Sequence, residues 1–181
     1  MPKIFCIGLN KTGTTSLHQA LLYLGYKSLH WGSFYCDDMI NCAIAEGRPL
    51  LHYFEEEYDA YSDIKVLTEN FELADKHYPG SKFILTWRTL DSWLDSRTRH
   101  VRQNIANKKL GRYPGKWTKI DPKGWTILWH SHQQRVKAYF AMRQNDLLIM
   151  NPCAGEGYDL LCPFLNKPRP SGLFPWANRR K

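Results

Sequence analysis

Apolar and polar stretches alternate along the chain in a pattern that predicts strands and helices in turn. Apolar runs at residues 4–9, 26–30, 82–87 and 146–151 have the length of short buried strands. Apolar positions at helical spacing predict helices over residues 14–24, 33–46, 68–77, 90–108, 124–145 and 159–165. This alternation predicts an α/β fold with a parallel sheet and helices on both faces, and ligands bind at the carboxyl ends of such strands.

The turn after the first strand predicts an anion site. Gly8 and Gly13 have the spacing of the nucleotide-triphosphatase P-loop, G-x-x-x-x-G-K-[ST]. Thr14 stands where that motif has its lysine, and Lys11, two residues before Gly13, is the lysine of this loop. Strand, glycine-rich turn and helix together form a phosphate cradle, because the backbone N–H groups and the dipole at the start of the helix favour an anion. The displaced lysine argues against ordinary ATP or GTP hydrolysis.

A second anion-binding element follows the strand at residues 82–87. Arg88 comes directly after this strand, and its guanidinium offers phosphate a planar fork of donors. Ser96 follows eight residues later on the next predicted helix and can add a hydroxyl. The strand carries no carboxylate, whereas a Walker-B strand ends in an Asp that organises magnesium. The missing carboxylate therefore argues against a nucleotide triphosphatase that binds magnesium at this strand.

Residues 11–17, KTGTTSL, resemble the 5′-phosphosulfate loop of sulfotransferases, which use 3′-phosphoadenosine-5′-phosphosulfate (PAPS) as sulfuryl donor. Arg88 and Ser96 have the spacing of that family's 3′-phosphate site. The resemblance implies one P-loop sulfotransferase-like domain over residues 1–181, with 3′-phosphoadenosine-5′-phosphate as product and no metal. It also implies that Lys11 contacts the oxygen between phosphate and sulfate. The 5′-phosphate would be held by Thr12, Gly13, Thr14, Thr15 and Ser16.

Sulfuryl transfer also needs a base, because the acceptor loses a proton as it attacks sulfur. His30 ends the second predicted strand and lies near the loop if the first two strands are close neighbours. It also matches a histidine of the small bacterial and eukaryotic sulfotransferase-like proteins that residues 58–63, 71–82 and 161–166 resemble. We therefore expect His30 as the base, with Asp63 and Asp59 as its competitors. Asp37 and Asp38 are expected on a solvated helix face.

Composition limits the remaining possibilities. The chain has 181 residues and 43% apolar content, which suits one domain with a good core. Its five cysteines are odd in number and lack a C-x-x-C pair, so zinc and a disulfide framework are not expected. Neither a signal peptide nor a transmembrane segment is visible, so we expect a cytoplasmic protein with no membrane partner.

The net charge of +8 suits an enzyme that binds two phosphates and a sulfate. The basic residues are dispersed and form no known nucleic-acid motif, so no nucleic-acid partner is expected. They are densest at residues 108–123, which read as a solvated linker or as a lid over the donor or an anionic acceptor.

The sequence thus predicts a PAPS-dependent sulfotransferase that acts on a hydroxyl or amine of a small-molecule or glycan acceptor. Two alternatives stay open: a P-loop small-molecule kinase and a non-catalytic nucleotide-binding module. Neither the acceptor nor the oligomeric state can be read from the sequence.

Overall fold

A computed structural model of the chain describes residues 1–54 and 57–177. Its sheet has the order β2-β3-β1-β4-β5, and each neighbouring pair of strands is parallel. The strands are β1 (Ile4–Cys6), β2 (Ser28–His30), β3 (Ala60–Ser62), β4 (Lys82–Thr86) and β5 (Leu147–Met150). This parallel sheet confirms the predicted α/β class.

Seven α-helices connect and flank the strands in the described parts of the chain. They are α1 (Thr14–Tyr23), α2 (Ser33–Ala45), α3 (Lys65–Glu69), α4 (Phe71–His77), α5 (Leu90–Lys109), α6 (Pro122–Tyr139) and α7 (Tyr158–Phe164). Short 3-10 helices at Gln144–Asp146 and Pro152–Ala154 flank β5. None of the described helices is long and apolar enough to cross a bilayer.

Helices pack on both faces of the sheet, as predicted. On one face, Ile4 and Cys6 of β1 lie in a buried cluster with Leu17 of α1 and Leu161 of α7. On the other face, the Phe5 ring lies 5.4 Å from that of Phe83 in β4 and 5.8 Å from that of Tyr78, the residue that caps the end of α4. Alternate residues of a strand point to opposite faces, which explains why three consecutive β1 residues serve two cores.

β1 ends at Cys6, three residues before its predicted end, and β2 begins at Ser28, two residues after its predicted start. The structure differs from the predicted elements more strongly in three other places. β3 was not predicted, because Ala60–Ser62 shows no apolar run, yet all three residues are buried in the middle of the sheet. The helix predicted over residues 68–77 is two helices, α3 and α4, which meet at Asn70 with a φ of −116°. The helix predicted over residues 124–145 begins two residues earlier and ends at Tyr139, six residues early.

The chain divides into two compact units. The sheet unit comprises residues 1–87 and 139–181, and the helical unit comprises residues 88–138, with α5 and most of α6. In the helical unit, the Arg97 guanidinium lies 4.9 Å from the ring centres of Trp93 and Trp125 and 5.1 Å from that of Trp117. Burial lowers the pKa of Arg97 to about 10. The single domain expected over residues 1–181 stays a prediction.

Candidate functional site at the carboxyl edge of the sheet

The loop between β1 and α1 is held against the end of β4. A Cβ atom on Gly8 would lie 2.0 Å from the Thr86 hydroxyl oxygen and 2.5 Å from the Thr86 carbonyl oxygen, so only glycine fits there. Gly13 has a φ of 96° and precedes the first residue of α1. The two glycines thus let the loop pack on β4 and turn directly into the helix, as the sequence pattern indicates.

Thr12 turns its side chain into the protein. Its hydroxyl donates to the Leu9 carbonyl at 2.5 Å and lies 2.7 Å from the Thr86 hydroxyl, and the residue is 1% exposed. The Thr86 hydroxyl also lies 3.8 Å from the Cys6 sulfur. This buried network fixes the shape of the loop. The resemblance gives Thr12 a role in phosphate binding, but its hydroxyl is committed to the loop itself.

The first turn of α1 presents the remaining predicted cradle residues. Thr14 and Ser16 are buried and Thr15 is partly exposed. The first N–H groups of a helix have no partner within the helix, so those of this ten-residue helix suit an anion. The Ser16 hydroxyl accepts a hydrogen bond from the Ala177 backbone N–H at 3.1 Å, which ties the C-terminal segment to the cradle.

His30 reaches the start of α1 although β1 and β2 are not neighbours. β3 lies between these strands, so the condition attached to the prediction is not met. His30 pairs with Ser62 of β3, and Ser62 pairs with Cys6, so the imidazole lies on the face that α1 covers. Its Nε2 atom lies 3.3 Å from the Thr15 hydroxyl and 3.4 Å from the Thr14 hydroxyl.

Asp63 follows β3 and completes a group of titratable side chains. Its Oδ2 atom lies 3.7 Å from His30 Nε2, with 23% of the Asp63 side chain and 20% of the His30 side chain exposed. Burial raises the pKa of Asp63 to about 6; the charge of Lys11 opposes this rise and that of Asp37 adds to it. Burial, followed by the charges of His18 and Lys11, lowers the pKa of His30 to about 4. The structure therefore places His30 and Asp63 side by side, near enough to Lys11 for its charge to act on the pKa of both.

Unusual backbone conformations concentrate at the same edge. Five described non-glycine residues have positive φ, and four of them follow β1, β2 or β3. These four are Lys11 (68°), Trp31 (65°), Ser33 (62°) and Asp63 (57°). Such conformations cost about 1–3 kcal/mol each and cluster at functional sites. Four of the five described non-glycine residues with positive φ therefore lie at this edge of the sheet.

Asp59 and Asp37 lie elsewhere than the sequence suggested. Asp59 precedes β3, so it lies at the amino edge of the parallel sheet, and its Oδ2 atom accepts the Lys27 backbone N–H at 2.9 Å. The structure therefore separates Asp59 from the loop. Asp37 is not simply solvated: its carboxylate accepts the Val66 backbone N–H at 3.1 Å, and burial raises its pKa.

Arg88 and Ser96 lie in the helical unit, together with a residue that the sequence analysis missed. The Arg88 guanidinium donates to the Ser92 hydroxyl from Nε at 3.0 Å and from Nη2 at 2.5 Å. Ser92 and Ser96 are one helical turn apart on α5 and therefore share a face. Sequence spacing gave no reason to choose Ser92, although the i, i+4 relation to Arg88 was available. The assignment of Arg88 and Ser96 to a 3′-phosphate stays a prediction.

His18 is a second residue that the sequence analysis passed over. Its ring centre lies 5.3 Å from that of His30, and its Nδ1 atom lies 2.9 Å from the Ser28 hydroxyl. Burial lowers the pKa of His18. The helical spacing of α1 could have identified His18, because position 18 follows Thr14 and Thr15 by one turn and so lies on the same face of the helix.

Within residues 1–54 and 57–177, no group of three or more His, Cys, Asp or Glu side chains could hold a metal ion. All five cysteines are free thiols. Those of Cys6 and Cys162 have raised pKa values because they are buried.

The arrangement was compared with known proteins. A family model described as a sulfotransferase domain matches residues 3–126 and 107–181. The two matched stretches overlap and together leave out only the first two residues. A search of curated proteins found no match.

Proposed function

Because this chain belongs to the sulfotransferase domain family, we propose that it moves a sulfuryl group from PAPS to a hydroxyl or amine of an acceptor. The observation that carries the proposal is the approach of Lys11, His30 and Asp63 beside the N-terminus of α1. An anion cradle, a cation and a base are the groups that this transfer requires.

The residues of the loop fit the phosphosulfate end of PAPS. The backbone N–H groups at the start of α1 and the Thr15 hydroxyl would donate to the 5′-phosphate. Lys11 would stabilise the negative charge that develops on the phosphate oxygen as the sulfur–oxygen bond breaks. Gly13 would have no room for a larger residue, because its Cβ would lie 3.0 Å from Pro152. The donor itself supplies the activated sulfuryl group.

His30 and Asp63 would take the proton of the acceptor. The acceptor oxygen or nitrogen forms a bond to sulfur while the bridging oxygen leaves with the electron pair of the broken bond. His30 is neutral at pH 7, because its pKa is lowered to about 4, so its Nε2 atom can accept the proton. Asp63 is ionised at pH 7, because its pKa of about 6 lies below. Since that pKa is higher than the value of about 4 for His30, the proton would pass from His30 to the Asp63 carboxylate, 3.7 Å away.

Arg88 and Ser96 are proposed to bind the 3′-phosphate, on the strength of their spacing in the sequence. The guanidinium already donates to the Ser92 hydroxyl, so Ser92 would orient it. We therefore add Ser92 to Arg88 and Ser96 as a residue of the proposed 3′-phosphate site.

A thermal-shift measurement tests the donor. 3′-Phosphoadenosine-5′-phosphate without magnesium should raise the melting temperature, because a ligand that binds the native state stabilises it by mass action. ATP with magnesium should raise it much less. The kinase alternative wins if the ATP shift is the larger of the two.

A transfer assay with labelled donor and a panel of hydroxyl and amine acceptors tests catalysis. His30→Ala should lower turnover and leave the affinity for the bisphosphate nearly intact, and Asp63→Asn should lower turnover less. Full turnover in His30→Ala with none in Asp63→Asn would make the carboxylate the base. Binding of the bisphosphate with no transfer to any acceptor would support the non-catalytic alternative.

A further inference from the structure

The net positive charge of the protein comes from one of its two units. Residues 88–138 contain twelve Lys and Arg but three Asp and Glu, a formal charge of +9. The whole chain carries +8, so all other residues together carry −1. Acidic residues balance the basic ones in the sheet unit, so the excess of positive charge belongs to the helical unit. A phosphate site accounts for few of them.

The densest part of this charge lies on the surface between the two long helices. We call residues 108–127 the basic segment: the end of α5, the connection and the start of α6. Its six basic side chains are all exposed, namely Lys108, Lys109, Arg112, Lys116, Lys119 and Lys123. Asp121 is the one carboxylate of the basic segment. It accepts a hydrogen bond from the Gly124 backbone N–H at 3.1 Å, in the first turn of α6.

The basic segment is not a loose linker. The Trp117 ring lies 4.8 Å from the His100 ring and 5.1 Å from the Arg97 guanidinium, and the Trp117 carbonyl accepts the Asn104 side-chain amide at 3.0 Å. Trp117 thereby fastens the middle of the basic segment along α5. These contacts favour a fixed surface over the two interpretations that the sequence allowed, a solvated linker and a lid.

Exposed aliphatic side chains lie between the exposed cations. Leu110 is 63% exposed, Ile120 37% and Ile127 70%, and they are the large apolar side chains exposed in residues 88–138. Leu110 follows Lys109, Ile120 follows Lys119, and Ile127 lies one turn after Lys123 on α6. Single exposed aliphatic residues are ordinary. Here each of the three accompanies a lysine.

The Trp and Tyr side chains of the helical unit are buried or partly buried, and none of them is exposed as the three aliphatic ones are. Trp93 and Trp125 are buried against Arg97, and Trp117 packs on His100. A Cβ on Gly115 would lie 2.5 Å from the Tyr113 ring, so that ring packs on the backbone. Proteins that bind single-stranded nucleic acid stack bases on exposed aromatic rings. Cations interleaved with aliphatic side chains instead match the interface of an anionic bilayer, where the cations meet headgroups and the aliphatic groups enter the acyl boundary.

We propose that the basic segment docks the protein peripherally on an anionic lipid surface. This departs from the expectation of no membrane partner, and it does not depend on the sulfotransferase activity. The lysines and Arg112 contact the headgroups, and Leu110, Ile120 and Ile127 insert beside them.

Vesicle flotation of the full chain tests the proposal. The protein should float with vesicles of phosphatidylcholine containing about 30% phosphatidylserine and not with phosphatidylcholine alone, and salt should weaken the binding. Each lysine near such a surface contributes about 1 kcal/mol, which is about a fivefold change in affinity. Lys108→Gln with Lys109→Gln should therefore weaken partitioning about 25-fold. Lys27→Gln with Lys76→Gln, two exposed lysines of the sheet unit, should change nothing.

Ile127→Gln separates a lipid surface from a general polyanion surface. It keeps the charge and should weaken vesicle binding about tenfold while leaving binding to a DNA duplex unchanged. Equal binding to duplex and vesicles, with Ile127→Gln affecting neither, would overturn the proposal in favour of a nucleic-acid surface. An absence of flotation with either vesicle would overturn it outright. Melting curves of each variant check that it folds. If Lys108→Gln with Lys109→Gln does not fold, Lys119→Gln with Lys123→Gln takes its place.

Discussion

Replacing Asp63 by Asn should make the protein more stable at pH 7 while lowering its turnover. The pKa of Asp63 is raised from 3.8 to about 6, mainly by burial. Each pKa unit corresponds to 1.36 kcal/mol, so the ionised carboxylate costs the native state about 3 kcal/mol at pH 7. Asn is the suitable replacement, because it tolerates the positive φ of 57° and has nearly the shape of Asp.

The sign of the pH dependence follows from proton binding. Between about pH 4 and pH 6, the native state holds a proton on Asp63 that the unfolded chain has lost. The free energy of unfolding of the wild type therefore falls as pH rises through this window and stays lower above it. Asp63→Asn removes this contribution, so its advantage should be absent near pH 4 and complete above pH 6.

Thermal melts from pH 4 to pH 8 measure the effect. A change of 1 kcal/mol shifts the melting temperature of a chain of this length by about 2–4 °C, so the variant should melt about 6–12 °C above the wild type at pH 7. Asp38→Asn, a change at a nearby exposed carboxylate, serves as the control and should shift little. If the variant melts at or below the wild type at pH 7, or if the difference is the same at pH 4, the buried-charge reasoning is refuted.

Three further changes test the loop and the donor contacts. Lys11→Gln should lower turnover about 100-fold or more in the labelled-donor assay, because a preorganised charge is lost, and the exposed control Lys76→Gln should keep full turnover. Arg88→Ala should weaken calorimetric binding of the bisphosphate at least about tenfold, because hydrogen bonds to charged groups contribute about 1.5–3 kcal/mol; an equal loss for the analogue without a 3′-phosphate would contradict the assignment. Gly8→Ala should lower the free energy of unfolding by about 1–3 kcal/mol or more, because its Cβ would enter the backbone of β4. Gly172→Ala, with open space around it, should not alter the melt.

The loop could be predicted from sequence because its information is local. Gly8, Lys11 and Gly13 lie within six residues, and the strand before them and the helix after them are signalled by apolar spacing. The family match over the chain agrees with this prediction. The direction of the Thr12 hydroxyl could not be predicted from the residues of the loop alone. It depends on Thr86, a residue 74 positions away whose hydroxyl lies 2.7 Å from that of Thr12.

β3 could not be predicted because its burial comes from its neighbours. Ala60 and Ser62 are small and weakly apolar, and the Tyr61 hydroxyl is satisfied by the Tyr58 carbonyl at 3.2 Å. Such residues are buried only because β1 and β2 flank them on both sides. The sequence left both Asp63 and Asp59 as candidates for the same reason, because without β3 it does not show that these two residues lie at opposite edges of the sheet.

The position of β3 also decides what His30 and Asp63 can do together. β3 lies between β2 and β1 in the sheet. With β3 inserted, the residue after β3 turns back at a positive φ and sets its carboxylate 3.7 Å from His30, within the field of Lys11. Burial then moves the pKa of Asp63 up and that of His30 down, so near pH 7 the pair is a carboxylate beside a neutral imidazole. A short strand that has no apolar signal in the sequence therefore places two possible proton acceptors, the His30 imidazole and the Asp63 carboxylate, beside the start of α1. The positive φ and the buried charge of Asp63 both cost free energy, which the rest of the sheet must offset.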